Sequence, residues 1–94
     1  MIREFNQEMI SKYGLTQLVI AVEELSELQK ELCKYIRKKK LGEELDLFSI
    51  EPIKEEIADV ELMLSQLKQY FSLNQDDIYN IKKKKIERTK KRLK

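Results

Sequence analysis

Apolar residues recur at helical spacing along most of this chain. Leu15, Leu18, Val22, Leu25, Leu28, Leu32 and Ile36 advance by three or four residues at a time, and so do Ile53, Ile57, Val60, Leu64, Leu67 and Phe71. Such steps keep side chains on one face of an α-helix, so each series forms an apolar stripe. The two stripes predict two long amphipathic helices that turn toward a common core.

Few residues interrupt this pattern. Gly14, Gly42 and Pro52 are the only glycines and proline. They predict a first helix over Ile2 to Tyr13 closed by Gly14, and a second over about Thr16 to Lys40 closed by Gly42, with Thr16 as its N-cap. Pro52 suits the first position of a third helix, with Ser49 or Glu51 near its cap and its end near Phe71. Asn74 caps a fourth helix that carries Asp76 and Asp77 in its first turn and runs to about Arg92. Short connections favour antiparallel neighbours, so the expected fold is all-α: an antiparallel helical bundle formed by a single domain over residues 1–94. One copy of 94 residues buries a small core, and pairing with a second copy is expected to complete it.

Composition narrows the chemistry. The chain has no histidine, which excludes Ser-His-Asp and Cys-His catalysis and the common His/Cys zinc sites. No glycine-rich phosphate loop is present. Cys33 is the only cysteine, so no internal disulfide can form. Leu18 to Val22 is the longest apolar run, too short to span a bilayer, and the first residues lack a signal-peptide core. The resulting expectation is a soluble, cytoplasmic protein.

Charge is distributed unevenly. Residues 82–94 carry nine Lys or Arg against Glu87 alone, a net +8; with +2 overall, residues 1–81 carry −6. The basic tail suits a helix C-terminus and can also meet phosphates. Any enzyme chemistry here must rest on carboxylates, with Lys, Arg and Tyr in support.

Five carboxylates stand out. Glu24 and Glu27 are three apart on the second helix, as are Glu56 and Asp59 on the third, so each pair shares a face. Rotation by about 100° per residue puts Glu56 about 60° from the centre of its apolar stripe, beside Met63, with Asp59 further out on the same flank. Glu24 flanks the other stripe, while Glu23 and Glu27 lie nearly opposite it. Carboxylates gathered in this way repel one another unless a hard cation neutralises them. Magnesium prefers oxygen ligands and keeps coordination sites for water and phosphate. A plain solvated acidic face has the same spacing.

Glu23-Glu24-Leu25-Ser26-Glu27-Leu28 followed by Glu55-Glu56-Ile57-Ala58-Asp59-Val60 resembles the paired EExxE and ExxD motifs of the MazG-like all-α nucleoside triphosphate pyrophosphohydrolases. Tyr13-Gly14-Leu15-Thr16-Gln17 and Lys85-Ile86-Glu87-Arg88-Thr89 extend the likeness over about residues 13–93. The resemblance implies a helical bundle assembled as a homodimer or homotetramer. It also implies Mg²⁺-dependent cleavage, with Mn²⁺ as a substitute, of a nucleoside triphosphate into a nucleoside monophosphate and pyrophosphate. By motif position Glu24, Glu27, Glu56 and Asp59 would be the metal ligands. Glu23 would orient or deprotonate the attacking water, or help to bind a further metal. A sub-branch acting on phosphoribosyl-ATP carries a Tyr-His pair shortly after the second motif; Glu61-Leu62-Met63-Leu64 here disfavours that substrate.

Ile78, Ile81, Lys85, Arg88 and Arg92 follow one helical stripe, which is expected to project toward the bundle. Lys85 and Arg88 are thus candidates to contact phosphates or to pair with acids, whereas Lys82, Lys83, Lys84, Lys90, Lys91 and Lys94 are expected in solvent. Gln17 can both donate to and accept from a base edge, or serve as surface polarity. A basic helical nucleic-acid-binding module and a purely structural dimerisation module are the alternatives. The acidic body and the lack of an aromatic platform disfavour sequence-specific nucleic-acid recognition, and no membrane partner is expected.

Overall fold

The computed structural model describes residues 1–93. It contains four α-helices and a single 3₁₀ turn, with no strand among the described residues. The helices are α1 (Ile2–Tyr13), α2 (Thr16–Lys40), α3 (Glu51–Tyr70) and α4 (Gln75–Arg92), and the 3₁₀ turn (Leu47–Ser49) leads into α3. None of these helices is long and apolar enough to cross a membrane. Lys94, expected in solvent, lies outside the described residues.

Local chemistry sets the helix ends. Gly14 takes φ 51° and its N–H donates to the Ile10 carbonyl. At the end of α2, Gly42 (φ 77°) donates to Lys39 O and Glu43 donates to Lys38 O, the paired bonds of a Schellman stop. Ser72 makes the same stop after α3 at φ 52°, a left-handed conformation costly for a residue with a Cβ. Asn74 caps α4 by accepting from the Asp76 N–H at 2.8 Å. Two expectations are corrected. Thr16 is not a cap: Leu15 is the N-cap of α2 in helical conformation, and bonds from Gln17 N to Gly14 O and from Leu18 N to Leu15 O satisfy part of the first turn. The N-cap of α3 is Ile50 rather than Ser49 or Glu51. Ser49 is occupied by Asp46, whose carboxylate accepts from its backbone N–H at 3.1 Å.

α2 and α3 form the main contact, and α1 packs on both. A small cavity lined by Glu31 and Tyr35 of α2 also touches Pro52 at the start of α3, while Glu24 meets Asp59, so the two helices are antiparallel. The face that α2 turns to α3 takes in only part of its apolar stripe. Gln17, Ala21, Glu24, Leu28, Glu31 and Tyr35 are its buried or half-buried positions there, whereas Leu15, Val22, Leu25, Leu32 and Ile36 stay between 42% and 68% exposed. On α3 the covered residues include Glu56, Val60, Met63 and Gln66, and Ile57, Leu64 and Phe71 remain largely open.

The core is correspondingly small. Ala21, Val60 and Met63 are its buried apolar residues, beside the buried amides Asn6, Gln17 and Gln66. Asn6 joins α1 to α3: its Nδ2 donates to Ser65 Oγ at 2.7 Å and to Gln69 Oε1 at 3.2 Å, while Gln69 Nε2 donates to the Arg3 carbonyl at 2.9 Å. α4 contributes no buried residue. Its start shares an apolar groove of about 450 Å³ with the end of α3, between Leu64, Leu67, Phe71 and Ile78, and the rest stands clear. The radius of gyration, 16.9 Å, exceeds the about 12 Å of a compact chain of this length.

Candidate metal centre

The seam between α2 and α3 brings acidic side chains of both helices together. α2 offers Glu24 from its α3-facing row, and α3 answers with Glu56 and Asp59, three residues apart and so on one face. One carboxylate oxygen from each of the three lies within 4.8 Å of the others. Glu24 and Glu56 are half-buried and Asp59 is exposed, so the cluster sits at the rim of the seam, open on one side.

The electrostatics follow from this crowding. Burial pushes the Glu24 carboxyl above its ordinary value, and the neighbouring Asp59 adds to it by charge and by accepting a hydrogen bond from the protonated form. Glu27 and Glu23 contribute less. Glu56 is raised for the same reasons: burial first, then the charges of Asp59, Glu24, Glu27 and Glu31. No Lys or Arg forms an ion pair with Glu24, Glu56 or Asp59 among the described residues. Glu56 Oε2 is shielded from solvent and has no hydrogen-bond partner. An ionised oxygen in that position is costly unless a cation faces it. The three donors are hard oxygens on one open patch, which fits a divalent ion that retains water or phosphate ligands.

The other expected site residues are placed as follows. Glu27 lies one turn beyond Glu24 and is exposed; it stands outside the converging trio, although its charge is felt by both raised carboxyls. Glu23 is exposed as well. Gln17 is 3% exposed, so it is not a solvated amide on the surface, and its Nε2 has no partner. It occupies the same face of α2 as Glu24, two turns earlier. Lys85 and Arg88 are exposed on α4, and the expectation that they project into the bundle is not met within one chain. The physical reason is that the stripe they continue has no facing helix among the described residues: every residue from Ile81 to Leu93 is exposed.

Glu31 lies outside both motifs and outside the converging trio, but its charge also raises the Glu56 carboxyl. It is 17% exposed on its side chain, faces α3 on the row of Glu24, and pairs with Lys34 at 3.1 Å. The signal was its spacing, seven residues after Glu24 and four after Glu27, which returns to the same face. Comparison with protein families, with curated proteins and with solved structures gives no match.

Proposed function

We propose that the chain is a Mg²⁺-dependent nucleoside triphosphate pyrophosphohydrolase of the MazG-like kind. The observation that carries this reading is the convergence of Glu24, Glu56 and Asp59 from two antiparallel helices, with Glu56 Oε2 left without any partner. The paired acidic motifs support it independently, because two of their residues on α3 and one on α2 are the three that meet. A bound magnesium ion would supply charge neutralisation for the phosphates and a polarised water. Glu24, Glu56 and Asp59 would hold it. Glu27, exposed one turn further along α2, would join them, and Glu23 would orient or deprotonate the water or help to bind a further metal.

Lys85 and Arg88 would meet the triphosphate from α4, whose position apart from the seam requires either its own swing or delivery by a second copy. Gln17, buried on the same row as Glu24, would approach the base. The open apolar stripes of α2 and α3 support a homodimer or homotetramer as the working form, since exposed stripes of this extent mark interaction surfaces.

The test is product identification. A panel of ribo- and deoxyribonucleoside triphosphates incubated with Mg²⁺ is followed by ³¹P NMR. Pyrophosphate and nucleoside monophosphate are the expected first products. Orthophosphate with nucleoside diphosphate as the direct products, or no turnover on any member of the panel, overturns the reading.

A further inference from the structure

An acidic body argues against a nucleic-acid partner only if the basic segment folds back onto it. It does not: apart from the groove that its start shares with the end of α3, α4 lies open, and every residue from Ile81 to Leu93 is exposed. The ion pairs among the described residues all join near neighbours within residues 1–54, so the cations of α4 have no carboxylate partner in the fold.

Placing α4 on a helical wheel sorts these cations. At about 100° per residue, Lys84, Lys85, Arg88, Lys91 and Arg92 fall within an arc of about 120°. They extend along about 12 Å of the helix axis. Lys84 with Arg88, and Arg88 with Arg92, are like charges one turn apart, which destabilise an isolated helix. An 18-residue helix with almost no tertiary support is marginal on its own. A polyanion laid along this arc removes the repulsion and supplies the missing support.

The arrangement selects among polyanions. α4 and its C-cap carry only Ile78, Tyr79, Ile81, Ile86 and Leu93 as apolar or aromatic residues; Ile81 falls within the basic arc and Lys82 among the others, so the apolar side is too small for insertion into a membrane surface. Tyr79 is its one aromatic ring, so stacking on single-stranded bases is weak. A helix about 10–12 Å across fits the major groove of B-form DNA, about 12 Å wide, whereas the deep narrow groove of duplex RNA excludes it. We propose that α4 binds double-stranded DNA through its phosphate backbone, without sequence preference, using the arc Lys84, Lys85, Arg88, Lys91 and Arg92.

The proposal is independent of the hydrolase reading, and its test is kept so. Fluorescence anisotropy of a labelled mixed-sequence duplex is titrated with the full chain at 50 to 200 mM salt. Five phosphate contacts predict a slope of log K against log salt of about −4.5, a loss of about 500-fold across that range. The triple variant Lys84→Gln, Lys91→Gln, Arg92→Gln leaves Lys85 and Arg88 in place and keeps good helix formers. Its slope should fall to about −1.8, a loss of about 12-fold. Helicity by circular dichroism should not fall in that variant, because two like-charge pairs are removed, and pyrophosphate release should be unchanged. The proposal is overturned by absence of duplex binding at 50 mM salt, by a variant slope equal to that of the wild type, or by tighter binding to phosphatidylserine vesicles than to the duplex.

Discussion

Replacing Glu24 by Gln should stabilise the metal-free protein and at the same time abolish its response to magnesium. Gln keeps the shape of the side chain and removes the charge that faces Asp59. An oxygen of Glu24 and one of Asp59 lie within 4.8 Å of one another; at that upper limit two unit charges repel by about 3.5 kcal/mol at an effective dielectric of 20 and about 0.9 kcal/mol in water. Water still reaches the open side of the cluster, so the screened value applies, and relief of about 1 kcal/mol against Asp59 is expected. That corresponds to a rise in Tm of about 4–8 °C for a domain of this size. Magnesium at 100 times its Kd should stabilise the wild type by about 2.7 kcal/mol through linkage, and the variant far less. The assay is thermal unfolding followed by circular dichroism at pH 7.5, with and without MgCl₂, at one fixed protein concentration. Glu55→Gln, on the exposed side of α3, is the control and should behave as wild type. A Glu24→Gln protein that is no more stable than wild type without metal, and gains as much from magnesium, refutes the reasoning.

Two further outcomes follow from the same structure. Glu24 and Glu56 have raised carboxyl pKa values, so the folded state binds more protons than the unfolded state just above the ordinary value of 4.5, and metal-free stability should fall as pH rises through that region; urea unfolding from pH 4.5 to 7.5 checks this, and a midpoint that climbs in wild type more than in Glu24→Gln contradicts it. Val22→Glu and Leu25→Glu place charge on the open stripe of α2 and should turn a dimeric or larger wild type into a monomer in sedimentation velocity, whereas a monomeric wild type at 100 µM contradicts assembly through that face.

Helix boundaries were legible in the sequence because local chemistry sets them. Gly14 and Gly42 adopt the positive φ their positions require, and Asn74 makes the expected cap bond. Helix faces were not legible to the same degree. Of the stripe Leu15, Leu18, Val22, Leu25, Leu28, Leu32 and Ile36 on α2, only Leu18 and Leu28 are half-buried, and the face turned to α3 otherwise carries Gln17, Ala21, Glu24 and Glu31. Periodicity shows that a face is apolar but not whether its partner belongs to the same chain. The same ambiguity misplaced Lys85 and Arg88, whose stripe lacks a facing helix. Glu24, Glu56 and Asp59 were found because their spacing and the antiparallel connection together fix where they meet. Glu31 lies outside both motifs, although its spacing matches the row of Glu24.

The central claim is that Glu24, Glu56 and Asp59 share one divalent ion, and Mn²⁺ is its most direct probe. Crystals of the protein grown with MnCl₂ should show an anomalous peak within coordination distance of one oxygen from each of the three side chains. Well-ordered crystals in which those carboxylates point apart, with no manganese between them at saturating concentration, contradict the account.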